Sequence, residues 1–222
     1  QIHLIQIQFS SCIYVRSLLI NIFMAIFVSS HNLCFIHNPK TGGSSIQKWL
    51  LENTDCTHWK LHCTLDQAKE KFPNIKYSFA VVRNPWDWAV SSYFYEYKKI
   101  EHNLALIKDK PYLINTNKDK YNVKLQYQKK NFLDNGFEYW LTNGHIAPQS
   151  KFLEVDYVLK FESLANDFKK IQDLLHIDTP LPHINKTRRD NYKKYYNENT
   201  INYVYNKYIE EIKTFGYQYE TP

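Results

Sequence analysis

The side chains of this chain that could do chemistry gather at two places, and the first is the stretch Phe35-Ile36-His37-Asn38-Pro39-Lys40-Thr41-Gly42-Gly43-Ser44-Ser45-Ile46. An apolar run from Leu33 to Ile36 feeds a turn of Pro39, Lys40, Thr41, Gly42 and Gly43, and a helix-forming segment begins near Ser44. The first N–H groups of a helix have no intrahelical partner, and the helix dipole adds positive potential at that end. A lysine and the hydroxyls of Thr41, Ser44 and Ser45 stand at the same junction. These residue types in this order suit a phosphate-like anion. The order is not that of a Walker A loop, because Lys40 precedes the glycines instead of following them.

The second place is Tyr77-Ser78-Phe79-Ala80-Val81-Val82-Arg83-Asn84-Pro85-Trp86-Asp87-Trp88-Ala89-Val90-Ser91. The apolar run ends at Arg83, Asn84-Pro85 breaks the strand, and a helix starts at Pro85 or Trp86. Arg83 then sits at the carboxyl end of a strand and Ser91 about two turns into the next helix, so both can face one second anion. Ligands of open α/β sheets bind outside the carboxyl ends of the strands, so the two anion sites should be neighbours. A glycine pair after a strand, or an Arg-Asn-Pro turn, is on its own an ordinary surface turn. Both occurring in this order is what points to two neighbouring anion sites.

The elements that must carry these residues follow from periodicity and breakers. Spacing predicts helices over 46–51, 65–72 (ended by Pro73), 86–99, 126–141, 162–175 and 198–215, and a strand over 155–160. Residues 100–122, with Pro111 and an Asn/Lys/Asp cluster at 115–120, read as a mobile loop. Pro180 and Pro182 break the pattern before a basic segment at 183–194. Ile201, Val204, Tyr205, Tyr208 and Ile212 share a face, a stripe that reads as core packing. Strands alternating with helices imply an α/β class with a central parallel sheet flanked by helices.

Length and composition agree with one domain over 24–222: 222 residues at 44% hydrophobic content can bury a core, and no linker or repeat divides them. The net charge of +6 suits a polyanionic ligand, and nothing resembling a nucleic-acid module accompanies the basic segment, so no nucleic-acid partner is expected. Cys12, Cys34, Cys56 and Cys63 show no Cys-x-x-Cys spacing; Cys56 and Cys63 are near enough to pair, but reduced thiols are the expectation. His58 and His62, four apart, lack a third ligand, so no metal is expected. The chain starts at Gln1 and its sole methionine is Met24. Residues 1–23 are expected to be upstream or targeting extension, or the chain a fragment, with the stretch from Met24 onward a short lead into the first strand. The apolar stretch 18–28, interrupted by Asn21, is shorter than the ~20 residues of a membrane span. A soluble, cytoplasmic protein is expected, with a membrane-anchored alternative if 1–28 is a truncated signal anchor.

The two segments together resemble the sulfotransferases that use 3′-phosphoadenosine 5′-phosphosulfate (PAPS). Pro39-Lys40-Thr41-Gly42-Gly43-Ser44-Ser45 is similar to their 5′-phosphosulfate loop, and Arg83 with Ser91 to their 3′-phosphate motif. Leu159-Lys160-Phe161-Glu162-Ser163-Leu164 and the tail Asn185-Lys186-Thr187 … Phe215-Gly216-Tyr217 resemble the carbohydrate branch, of the heparan or uronyl 2-O-sulfotransferase kind. The resemblance implies a P-loop-like sulfotransferase fold, PAPS as co-substrate, PAP (3′-phosphoadenosine 5′-phosphate) as product and no metal. The acceptor it implies is a carbohydrate or glycoconjugate hydroxyl, an anionic one included. Lys40 would stabilise the leaving phosphate, Thr41, Gly42, Gly43, Ser44 and Ser45 would hold it, and Lys186 and Arg188 would form a phosphate lid. In that branch the base is a histidine in a His-x-Ser/Thr context, which His62-Cys63-Thr64 matches. His58 is the second candidate, Glu52 and Glu96 stay open because other members use glutamate, and His37 has a structural place beside the loop. Two other readings stand: a small-molecule kinase, against which the missing Gly-Lys-Ser/Thr order and Mg²⁺-binding aspartate count, and a degenerate nucleotide-binding member without turnover.

Overall fold

The computed structural model describes residues 24–61, 63–109, 118–144, 146–184 and 190–220. The expectations for residues 1–23 lie outside them. Met24-Ala-Ile-Phe-Val28, apolar throughout, forms strand β1 (Met24–Val28) and is not merely a lead. A turn of 3₁₀ helix (Ser29–His31) and Asn32, left-handed at φ 50°, return the chain into β2 (Leu33–Phe35). Asparagine is among the few non-glycine residues that take this conformation readily. A connection this short allows only an antiparallel neighbour, since a parallel crossover needs a dozen residues or more. Hence Ile26 pairs with Phe35 and Val28 with Leu33 in an antiparallel register.

β3 (Cys56–Leu61) is also antiparallel to β1, whereas β4 (Tyr77–Val82) runs parallel to β2, pairing Leu33 with Tyr77 and Phe35 with Phe79. With β5 (Tyr157–Lys160) the sheet has the order β3-β1-β2-β4-β5. The sheet is therefore mixed: β2 and β4 form the parallel pair of the expected α/β class, and the hairpin at 29–32 sets β1 antiparallel to its neighbours.

Packing divides the chain into two compact units. The first, which among the described residues lies within 24–81, 152–159 and 164–184, holds nearly all of the sheet. Helix α1 (Gly43–Asn53) buries Ile46, Trp49 and Leu50. Trp49 meets Phe168 edge-on at 5.0 Å, and Phe168 in turn lies 6.3 Å from Phe79 of β4. A second apolar cluster gathers Phe27, Cys34, Ala80 and Phe152 with Ala68 of α2 (Leu65–Lys71). Phe72 stacks on Phe27 at 4.8 Å. Thr64 and Gln67 close a capping box at the start of α2, the arrangement that fixes where a short helix begins.

The second unit, within 82–151, 160–163 and 190–220, is mainly helical among the described residues. Helix α3 (Pro85–Asp109) runs 25 residues, so the loop expected over 100–122 is helical to Asp109 and again in α4 (Lys118–Gln128). Ile100, Leu104, Ala105, Leu106 and Ile107 are good helix formers, and nothing before Pro111 stops them. Residues 110–117 lie outside the described residues. The single helix expected over 126–141 is broken by a π-helical turn (Lys129–Leu133) and by Gly136 at φ 88°, after which α5 (Gly136–Asn143) starts. The helix expected over 162–175 splits at Phe168 into α6 (Leu164–Asp167) and α7 (Lys169–Leu175). The last one splits at Tyr208 into α8 (Glu198–Lys207) and α9 (Ile209–Phe215). Among the described residues no helix is long and apolar enough to cross a membrane.

Candidate active site

In the first unit the loop after β2 is shaped by side chains that sit under it. The N–H of Ile36 donates to the Phe79 carbonyl at 2.8 Å, which carries the parallel ladder one residue past the strand. Asn38, fully buried, donates from Nδ2 to the Val81 carbonyl at 2.8 Å, and Thr41 Oγ1 donates to the Asn38 carbonyl at 2.7 Å. These bonds tie the loop to β4 and to itself. Lys40 and Gly42 then take left-handed conformations, φ 67° and 85°, and the Gly42 carbonyl accepts the N–H groups of Ser45 and Ile46 as α1 begins. The chain thus enters the helix with the first amides of α1 at the loop, as an anion seat requires.

Gly43 is glycine for a steric reason. A Cβ there would stand 1.8 Å from both Cδ2 and Nε2 of His37. The imidazole is 3% exposed and lies edge-on to Phe35 at 5.7 Å, so His37 is the post against which the loop is wound. Ser45 Oγ accepts the Ile184 N–H at 3.1 Å. Thr179 is held upstream, its carbonyl taking Trp49 Nε1 at 2.7 Å and Gln172 Nε2 at 2.5 Å. The segment leading to the basic stretch is thereby pinned to the start of α1.

His58 lies mid-strand in β3 opposite Ile26, half-buried, with Nε2 4.0 Å from Cys56 Sγ; burial lowers its pKa. His62, Lys186 and Arg188 lie outside the described residues. Cys34, Cys56 and Cys63 carry free thiols, and burial pushes Cys34 up to about 12, with Cys63 adding to the shift. Among the described residues no three His, Cys, Asp or Glu side chains are placed to hold a metal.

In the second unit Arg83 follows β4 and is 8% exposed. Its Nε and Nη2 both reach Asp87 Oδ2, at 2.8 and 2.5 Å, and its guanidinium lies 4.0 Å over the Phe161 ring. Asn84 Oδ1 accepts the N–H groups of Trp86 and Asp87, capping α3, whose first residue is Pro85. Ser91 is buried in the same helix.

The family model of the sulfotransferase family matches residues 24–218. The chain belongs to the sulfotransferase family. No curated protein and no solved structure matches significantly. The mixed sheet with its parallel pair and flanking helices is the α/β fold of that family, and sulfuryl transfer is its chemistry.

In this family member sequence reasoning missed Gln149 and met Lys160 and Glu162 only as parts of a motif, because all three act from a distance. Gln149 bonds both backbone groups of Arg83, and Glu162 Oε1 accepts the Asn84 N–H at 2.7 Å while its Oε2 takes the Tyr217 hydroxyl at 2.9 Å. Burial raises the Glu162 pKa above its ordinary 4.5, against the bonds from Asn84 and Tyr217 and the charge of Arg83, which pull it down. Lys160 donates from Nζ to the Phe215 carbonyl at 2.7 Å. The Leu159–Leu164 segment and the tail are thus joined to one another. Side chain–backbone bonds across such separations leave no period in the sequence.

Proposed function

We propose that the protein moves the sulfuryl group of PAPS to a hydroxyl of a carbohydrate acceptor by in-line displacement. The observation that supports it most is the loop wound on His37, which brings Lys40 and the opening amides of α1 together as an anion seat. The glycine at 43 suits this close approach, since no side chain fits there. Thr41, Gly42, Gly43, Ser44 and Ser45 hold the 5′-phosphosulfate. Lys40 meets negative charge that grows on the bridging oxygen as the S–O bond breaks, which favours the transition state over the ground state. Arg83 and Ser91 take the 3′-phosphate, and Lys186 and Arg188 close over the phosphates. His62 removes the acceptor proton, with His58 as second candidate; an imidazole titrating near ~6.5 suits that step.

The test is thermal unfolding with and without PAP, on wild type and Arg83→Ala. A ligand at a hundredfold its Kd adds about 2.7 kcal/mol of stability, several degrees for a chain of this size. A rise of that order in wild type, lost in Arg83→Ala, is expected. A shift with ATP and Mg²⁺ but none with PAP would replace the reading with a kinase. PAPS turnover that disappears in His62→Ala separates an enzyme from a member that only binds nucleotide.

A further inference from the structure

At Arg83 the chain leaves the sheet while still buried, and both backbone groups of that residue need partners. One side chain supplies them. Gln149 Oε1 accepts the Arg83 N–H at 3.0 Å, and Gln149 Nε2 donates to the Arg83 carbonyl at 2.8 Å. The pair of bonds is what an adjacent strand would make, delivered by a residue 66 positions away and 1% exposed. Gln149 opens a short 3₁₀ turn (Gln149–Phe152), and that turn is anchored in its own right. The N–H of Ser150 donates to Glu211 Oε1 at 3.1 Å, and Glu211 is 2% exposed.

We propose that Gln149 is a positioning residue for the arginine that binds nucleotide. Holding both the N–H and the carbonyl of Arg83 fixes the direction in which its side chain leaves the backbone. Phe161 and Asp87 then fix the far end of the guanidinium. Arginine has several rotatable bonds, and small displacements of a charged ligand group weaken its contacts steeply. The inference rests on the reading of Arg83 as a 3′-phosphate ligand.

The test is a double-mutant cycle on PAP affinity by calorimetry, at a temperature where every variant is folded: wild type, Gln149→Ala, Arg83→Ala and the double variant. Gln149→Glu is run beside them, since it has the same length, keeps the acceptor for the Arg83 N–H and loses the donor to the carbonyl. Gln149→Ala is expected to weaken PAP about 10- to 100-fold. In the Arg83→Ala background either substitution should change affinity less than about twofold, because the effect travels through Arg83. With PAPS, KM should rise while kcat holds, as for loss of uniform binding. Unchanged PAP affinity in both Gln149 variants of a wild type that binds overturns the inference and leaves the nucleotide reading intact. So do losses that multiply in the double variant, which is the outcome of a merely structural role. Absence of PAP binding by wild type overturns both.

Discussion

Gly43→Ala is the substitution whose effect the loop geometry determines most sharply. Gly43 opens α1 with no left-handed φ, so alanine has no backbone objection to the site. At an open helical position the exchange would stabilise by roughly 0.5–1 kcal/mol, because glycine loses more backbone freedom on folding. Here the new methyl would lie 1.8 Å from two ring atoms of His37, about half the ~3.5–4.0 Å at which carbon atoms pack. The ring is not free to swing into solvent: His37 is 3% exposed and packs edge-on with Phe35. Either the ring or the loop backbone must move, and overpacking of this kind costs about 1–3 kcal/mol.

Four proteins measure it by thermal or urea unfolding: wild type, Gly43→Ala, His37→Ala and the double variant. In the wild-type background Gly43→Ala should lower Tm by about 2–12 °C, at roughly 2–4 °C per kcal/mol for a chain of this length. In the His37→Ala background the obstacle is gone, and the same change should be neutral or stabilising by up to about 1 kcal/mol. A reversal or loss of sign between backgrounds is the signature of the contact. Equal destabilisation in both would refute the argument, since the imidazole would then not be what reserves position 43 for glycine.

Glu162 gives a pH dependence with a definite sign. Its folded pKa lies above 4.5, so between 4.5 and the folded value the native chain holds a proton the unfolded chain has lost, and stability falls as pH rises through that window. Glu162→Gln should flatten that part of the pH–stability curve; an unaltered slope would assign it to another group. Ser45→Ala strips the Ile184 N–H of its acceptor and should cost about 1–3 kcal/mol. Amide exchange at Ile184 should quicken, and an unchanged rate would show that this hydroxyl does not hold the segment.

The parts of the fold that were legible in the sequence are those written by neighbours. Gly42-Gly43 after an apolar run and Asn84-Pro85 after another announce strand ends and helix starts, because glycine, asparagine and proline act within one or two residues. The starts of α1, α2 and α3 fall close to where breakers and caps place them. What was not legible depends on partners far along the chain. β1 is a five-residue apolar run whose meaning comes from pairing on both sides, with β2 and with β3. β3, Cys-Thr-His-Trp-Lys-Leu, has no apolar run, so the strand that holds His58 was not among the expected ones. Gln149 bonds Arg83 across 66 residues and Glu162 bonds Asn84 across 78; both are single side-chain contacts without a periodic trace. Glu162 could be noticed in the sequence only as part of a motif, and Gln149 not at all.

The two candidate anion seats are built from different physics: both show their own residues in the sequence, but the second is held by a partner far along the chain. The loop before α1 draws on backbone amides, whose orientation follows once Lys40 and Gly42 take their left-handed turns; its demands are conformational and so visible as residue types. Arg83 carries a full charge at a site 8% exposed, and a lone buried charge is far too costly to keep. Asp87 and the Phe161 face make it tolerable, while Gln149 satisfies the backbone beneath it. Each partner that lets the arginine exist without ligand also limits where its guanidinium can point. The same contacts therefore serve stability and aim at once. A side chain serving both is the kind whose loss should weaken nucleotide binding beyond what its effect on unfolding accounts for.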